Sequence, residues 1–345
     1  MADIDRISEL HDDLLLKILS QVPTKKAVTT MVLSKRWGLV WTMVPKLKYK
    51  DTRKEGDKSV WCLINKSLQL HKACVLESLC IQVNHQFSKA EDVGKCVSYA
   101  VDHCVRELSL DISSLSQIVL LPPNVYASKT LVELILAGHR LVVDVPSLPC
   151  LPSLQKLILI CVMYKDQNSH VRLLENCPAL RHLDVLRDMS DNVSRFIVAY
   201  CSAINFPRLI KFKLHLSCSN LSNSSLEPLF LFLHNSPILK VLTISCDPAL
   251  GSKDLPLSWN QQSSVPGCLL SHLEIFVWEK FGGRRRQERE CVAYILANSK
   301  CLKMARISPI CSDNLEEKEK MVEDLKSMYR VSASSQLETP LRVTT

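Results

Sequence analysis

A chain of 345 residues can form two domains or one elongated array, and a composition of 47% apolar and 23% charged residues excludes wholesale disorder. Glycine is scarce, at 8 residues, which disfavours folds built on several Gly-rich phosphate loops; the net charge of +8 permits an acidic partner or nucleic acid without requiring either. The 15 cysteines are an odd number with no C-x-x-C pair among them, so they read as reduced, buried thiols and not as a zinc or thioredoxin-type site. No metal and no cofactor is expected.

The chain opens with MADIDRISEL, which lacks the basic region and apolar core of a secretory signal. The most apolar window, Leu151 to Tyr164, is broken by Gln155 and Lys156 and is too short to cross a bilayer. A cytoplasmic and/or nuclear protein with no membrane partner is expected.

In the amino-terminal segment Leu10, Leu14 and Ile18 fall on one helical stripe and Leu15, Leu19 and Val22 on its neighbour, while Asp12 and Asp13 suit the first turn of a helix. Pro23 stops that helix, and Thr24 is positioned to cap a second carrying Ala27, Val28, Met31 and Val32. Ser34 would cap a third, with Trp37, Val40, Trp41 and Val44 at helical spacing. Three short helices of this kind carry more apolar surface than about forty residues can bury alone. They pack either on the rest of the chain or on a partner.

The stretch LHDDLLLKILSQVPTKKAV…VLSKRWGLVW resembles an F-box, particularly the plant form with Asp-Asp, Ile-Leu, Pro-Thr and Ser-Lys-Arg-Trp in this order. That resemblance implies binding to a Skp-type adaptor and, through it, to a cullin and a RING subunit. It also implies that Leu10, Leu14, Ile18, Leu19, Pro23, Val32, Leu33 and Trp37 form or support the adaptor interface. His11 stands where the family usually has proline, a helix-start residue. Gly38 replaces a longer polar residue at a cost in helix propensity. Both changes are expected to weaken the interface without abolishing it.

From Leu76 onward a second rule appears: an apolar residue, two variable ones, Leu or an equivalent, one variable, then apolar. It recurs in LESLCI, VRELSL, LVELIL, LQKLIL, LRHLDV, LIKFKL, LKVLTI, LSHLEI and LKMARI, centred on residues 79, 108, 134, 157, 183, 212, 242, 273 and 305. This interval fits leucine-rich repeats, each contributing one parallel strand and a return segment. The expected fold is therefore α/β: a small all-α F-box followed by an irregular leucine-rich-repeat solenoid, a horseshoe of parallel strands with helical returns. Helical returns are expected over Ser88–Cys104, Asp191–Ile204, Leu226–His234 and Gln287–Asn298, with Lys58–His71 as the joint to the F-box. Cys104, Cys177 and Cys301 would fill turns as buried thiols. The Pro-rich stretches Leu121–Asn124 and Val145–Pro152 read as surface loops or edge turns.

Residues 265–308, with Leu-Leu, a Trp-bearing strand, a Gly-Arg turn and a helix containing Tyr-Ile-Leu, resemble the FBD region that follows such repeats in many plant F-box proteins. The similarity continues through KEKMVEDLKSMYRVSASSQL, a segment expected to cap the last repeat's strand edge. The domain division is accordingly 1–50 F-box, 51–264 repeat array, and 265–340 FBD-like region completing and capping it.

In parallel strands in register, the variable residues beside each central Leu face one side. Ile135, Ala137, Ile158, Ile160 and Leu186 would then make an exposed apolar patch, with His182, Asp184, Lys211 and Lys213 as charged flanks, the usual anatomy of a partner site. His272, Glu274 and Phe276 would continue the face at the eighth repeat. A loop or the Leu337–Thr345 tail covering the patch is the competing reading. The basic turn over Lys280–Arg289 reads as a solvated hairpin tip; with no aromatic platform beside it, nucleic acid is not an expected partner. No Walker loop, dinucleotide fingerprint, H-E-x-x-H or G-x-S-x-G is present, so no catalysis is expected. The function implied is a non-catalytic subunit of an SCF-type ubiquitin ligase that captures an unknown protein substrate. The alternative is a leucine-rich-repeat interaction scaffold without ligase coupling.

Overall fold

The computed structural model describes residues 7, 9–50, 60–83, 90–113, 117–166, 168–186, 204–216, 226–246, 264–283, 286–310 and 315–339. The chain divides into two compact units, Met1–Leu154 with Val162–Ser169, and Gln155–Cys161 with His170–Thr345. Both are built on the same rule: parallel strands whose alternate residues are apolar.

The first unit begins with three helices, α1 (Asp12–Leu19), α2 (Thr24–Thr29) and α3 (Lys35–Val40), the second and third each continued by a short 3-10 turn. Helix α1 starts where Asp12 and Asp13 complement the dipole, and α3 starts at Ser34, whose hydroxyl accepts from the Trp37 N–H at 3.4 Å. Thr24 does not cap α2. It is the first helical residue, and its buried hydroxyl instead accepts the Lys48 N–H at 2.7 Å, tying α2 to the first strand.

Four parallel strands follow in this unit, β1 (Lys46–Lys50), β2 (Ser78–Gln82), β3 (Glu107–Asp111) and β5 (Glu133–Ala137), with Leu47, Leu79, Leu108 and Leu134 in one register row. These four leucines are essentially buried, as are Tyr49, Ile81, Leu110 and Leu136 two residues on. A one-residue slip would turn all eight to solvent, so the apolar alternation sets the register. Strand β1 is an addition to the nine repeats read from the sequence; KLKYK has the right alternation but follows α3 directly.

Helices α4 (Val60–Leu70) and α5 (Ala90–Asp102) form the first returns, α5 burying Val93, Cys96, Val97 and Ala100. The later returns are not helical. They contain β4 (Val119–Leu120), β6 (Leu141–Val143) and β8 (Met163–Tyr164), which pair as a second, parallel sheet. The Pro-rich segments lie here and are mostly at the surface, with Leu148 90% exposed; they are pinned by buried Leu121, Val145 and Leu151, next to a 3-10 turn at Pro123–Ala127 that buries Val125 and Tyr126, and Cys150 N–H bonds to the Tyr126 carbonyl at 2.7 Å. They are surface turns anchored by a few buried apolar side chains.

The second unit continues the pattern in seven parallel strands: β7 (Lys156–Ile160), β9 (His182–Leu186), β10 (Lys211–Leu216), β11 (Val241–Cys246), β12 (Ile275–Phe281), β13 (Met304–Pro309) and β14 (Gln336–Glu338). Its buried row is Leu157, Leu183, Phe212, Leu242, Phe276 and Ala305. The eighth repeat therefore centres on Phe276, not Leu273. The windows beginning at Leu270 and Leu273 both satisfy the apolar pattern, and pairing with β11 selects the second. Helices α6 (Ser169–Glu175), α7 (Glu227–His234), α8 (Gly267–Ser271), α9 (Arg286–Asn298) and α10 (Leu315–Ser327) supply returns. The helix expected over Asp191–Ile204 lies outside the described residues apart from Ile204.

Strand β12 carries a register irregularity between Trp278 and Phe281, where Lys280 adopts a positive φ of 56°. The bulge returns Phe281 to the interior, 1% exposed, before the chain turns into α9. The region expected to be a hairpin tip is thus a strand-to-helix turn, with Arg284 and Arg285 outside the described residues. Strand β14 closes the edge. It is only three residues long, pairs Leu337 with Ala305, and is held by Arg306 Nε to Glu338 Oε2 at 2.7 Å. Leu337 is therefore an edge-strand residue and does not lie across the outward face.

Eleven described cysteines are free thiols. Burial pushes Cys96, Cys177 and Cys268 up to about 12, which makes them packing groups and not nucleophiles. Cys104 and Cys301 depart from the buried-thiol expectation, because both are exposed. Cys104 holds a left-handed φ of 56° just past α5, with Val105 N–H returning to the Ala100 carbonyl at 3.0 Å, a helix stop usually made by glycine. No helix among the described residues is long and apolar enough to cross a membrane.

Candidate functional site

The helical unit has a filled core. Leu15, Leu19, Ala27, Trp37, Val40, Trp41 and Val44 are each no more than 6% exposed, with Leu10, Leu16, Val22 and Val28 packed against them. Arg36 fastens α3 to α1, its guanidinium donating to Asp12 Oδ1 at 2.8 and 2.7 Å and to the Leu10 carbonyl. Against this core, Leu14 is 44% exposed, Ile18 47%, Val32 83% and Leu33 64%. The two sides of α1 thus differ in burial: Leu15 and Leu19 face inward, Leu14 and Ile18 outward. Pro23 is also exposed, while Leu10, Leu19 and Trp37 can act on a partner only by holding the exposed side chains in place.

The predicted interface left out four exposed apolar side chains of this unit, Ile7, Met31, Leu39 and Met43. Leu39 lies two residues from Trp37 on a helix where an i, i+2 pair points to different sides, so the buried tryptophan was a usable signal. His11 occupies the N-cap of α1 with φ −64° and makes no side-chain cap. That φ is the one proline would impose. Gly38 has nothing within 4 Å of where a Cβ would stand.

The strand faces carry the second candidate surface. In the first unit Ile135 is half-buried and Ala137 only 6% exposed, so Ala137 belongs to the core and not to an exposed patch. In the second unit the register aligns Lys156, His182 and Lys211; then Ile158, Asp184 and Lys213; then Ile160, Leu186 and His215. All nine residues are at least partly exposed, and the apolar ones are half-buried. Lys213 Nζ lies 3.2 Å from Glu279 Oε2, and His215 Nε2 lies 3.6 Å from Asp184 Oδ1. Burial raises the Asp184 carboxyl above its usual range, with His215 and then Lys213 opposing. In the eighth repeat the outward residues are Ile275, Val277 and Glu279; Phe276 is interior.

The turn after β12 is organised by a buried acid. Glu288, 6% exposed, accepts the Gly283 N–H at 2.9 Å, and Arg289 donates to the Gly283 carbonyl. Gly283 has φ +64°, and a Cβ there would stand 3.0 Å from Met321 and Phe281. This explains why Gly, Glu and Arg recur in the turn: a left-handed residue, an acceptor for its N–H and a donor to its carbonyl. Among the described residues no group of three or more His, Cys, Asp or Glu side chains could hold a metal ion.

Three family models match the chain: the F-box domain over residues 7–49, the leucine-rich repeats of FBD-associated F-box protein At5g56370 over residues 93–199, and FBD over residues 261–307. The putative FBD-associated F-box protein At1g05080 of Arabidopsis thaliana is 37% identical across 96% of this chain and 97% of its own length. The putative F-box/FBD/LRR-repeat protein At5g52460 of the same plant is 39% identical across 98% of this chain and 96% of its own. A third Arabidopsis relative, FBD-associated F-box protein At4g10400, is 33% identical across 97% and 99%. Identity at this level over nearly the full length of both chains, on a helical unit followed by leucine-register strands, makes this chain a member of the plant F-box/FBD/leucine-rich-repeat family.

Proposed function

We propose that this chain is the target-recognition subunit of an SCF-type ubiquitin ligase and makes no covalent bond itself. Its helical unit docks on a Skp-type adaptor, which brings the cullin and RING subunits. The observation that carries this reading is the exposure of Leu14, Ile18, Val32 and Leu33 over a core that is already complete. Such side chains stay in water at a cost unless a partner covers them. The outward strand faces hold the target: Ile135 in the first unit, and Ile158, Ile160, His182, Asp184, Leu186, Lys211 and Lys213 in the second. Holding a target's lysines beside a charged conjugating enzyme turns a bimolecular encounter into an intracomplex one. The working division remains 1–50, 51–264 and 265–340.

The test is capture of a purified Skp-type adaptor by the full chain and by the Leu14→Asp, Ile18→Asp double variant. The wild type should retain the adaptor and the variant should lose it with the fold intact. Equal capture by both would refute the assigned interface. Failure of the wild type itself would favour an interaction scaffold without ligase coupling, and His11→Pro would then be the variant to try.

A further inference from the structure

The amino-terminal edge of the second unit's sheet is basic. Because its strands are parallel, the turns leading into β9, β10, β11, β12 and β13 lie along one edge. Six exposed cations occupy these turns and first strand positions: Arg181, Arg208, Lys211, Lys240, Lys300 and Lys303. Glu274 is the single acid there among the described residues, bridging Lys240 at 3.1 Å and Lys303 at 2.5 Å, and those two contacts hold its carboxyl below the usual range. Arg181, Arg208 and Lys211 have no acidic partner among the described residues. They are also close in the chain path, since the N–H groups of Ile210 and Lys211 both bond to the Arg181 carbonyl, at 2.8 and 2.9 Å.

The corresponding edge of the first unit is different. There Lys46, Glu77, Arg106, Glu107 and Glu133 mix both signs, and Lys46 is already paired with Glu77 at 3.3 Å. The positive edge is therefore a property of the second unit and not of the repeat design.

We infer that this edge binds an acidic, extended segment of the protein target. Five adjacent strands span about 19 Å at ~4.8 Å each, a length covered by about six residues of extended chain. One residue inside Lys240 and Lys303, Val241, Ile275 and Met304 form a half-buried apolar row in register, continuing the row in which Lys211 stands. A peptide with acids on one side and apolar residues on the other matches both rows. Nucleic acid fits less well, because Phe206, Phe212, Phe276 and Trp278 are all buried and leave no stacking surface. This inference rests on the target-capture reading and specifies the chemistry of what is captured.

The experiment uses the full chain and a fluorescein-labelled peptide of about twelve residues alternating Glu and Leu, followed by anisotropy at low and at physiological salt. The wild type should bind, more weakly at higher salt, and Arg181→Glu with Arg208→Glu and Lys211→Glu should weaken binding by at least about tenfold. Arg106→Glu, an exposed edge charge in the first unit, should leave it unchanged. Binding that is absent at low salt, or equal in wild type and triple variant, or weakened as much by Arg106→Glu, would overturn the proposal. So would a single-stranded thymidine oligonucleotide that binds more tightly than the peptide and is lost in the same triple variant. Thermal melting and the triple Gln variant guard against a folding artefact, since the Gln chain loses the three cations without gaining three carboxylates. Adaptor capture measured on the same samples separates the two readings: a wild type that captures the adaptor but does not bind the peptide overturns this inference alone.

Discussion

The helical unit and the strands handle apolar residues in opposite ways. Within residues 7–43, eight large apolar side chains remain exposed, half of the sixteen so exposed among all described residues. The strands send Leu, Ile and Phe inward at every second position and present polar or half-buried residues outward. Helices this short cannot bury a wide apolar stripe on one another, whereas an inner strand such as β3 or β10 has a neighbour on each side and a return segment to pack against. On the function proposed above, the surplus apolar surface is the docking end and the charge pattern the selecting end.

The largest effect should come from charging the docking stripe. Leu14→Asp with Ile18→Asp should reduce adaptor affinity by about 100-fold or more in a capture assay, because central interface anchors cost this much when lost. The neighbouring inward stripe should respond in stability instead. Leu15→Ala, at a fully buried site, should cost about 3 kcal/mol in urea denaturation, whereas Leu14→Ala should stay within about 0.5 kcal/mol. Similar costs at both positions would erase the distinction between the stripes.

A smaller effect should appear with pH. His71 is buried, and its Nε2 donates to the Val44 carbonyl while Nδ1 accepts from the Tyr99 hydroxyl, both at 2.8 Å. Burial lowers its pKa, the Val44 bond opposes and His103 adds to the lowering. The unfolded chain therefore takes up a proton near pH ~6.5 that the folded chain still refuses. Stability should be full above that pH and fall as the pH drops below it; His234, also lowered by burial, acts in the same direction. Melting temperatures measured across this range should show the fall, with a shallower slope for His71→Gln. A slope unchanged in that variant would assign the effect elsewhere.

The smallest effects are stabilising and test local backbone readings. Cys104→Gly removes a side chain from a left-handed position and should add about 0.5–1 kcal/mol. Gly38→Ala, with open space around the new Cβ, should add a similar amount through helix propensity. Loss of stability in Gly38→Ala would mean that the glycine is needed for a contact beyond the isolated chain.

Most of the strand positions were legible because one residue type at one spacing does the same work in each repeat. Leu79, Leu108, Leu134, Leu157, Leu183, Phe212, Leu242 and Ala305 all sit where their pattern predicts. Leu273 failed for a definable reason. Periodicity offers two apolar frames three residues apart, and only the neighbouring strand decides between them. Strands β1 and β14 were hidden by context, one behind a helical segment and the other in three residues. The docking stripe of α1 was visible as a stripe, but its direction was not, because Leu14 and Leu15 are chemically identical. Nor could spacing reveal that Thr24 bonds Lys48, since a strand 24 residues away competes for the hydroxyl.

Those long-distance bonds have a mechanical consequence. Thr24 to Lys48, His71 to Val44, and the N–H groups of Lys72 and Glu77 to the Thr42 and Pro45 carbonyls, each at 2.8 Å or less, stitch the docking helices to the first strands and α4. Among the described residues, these bonds join the helices and the first strands directly. Cargo seated on this unit's outward face would travel with the adaptor as one rigid body, at a distance and angle set by the fold. Which lysines come within reach of the conjugating enzyme would then be a matter of orientation, decided before any encounter takes place.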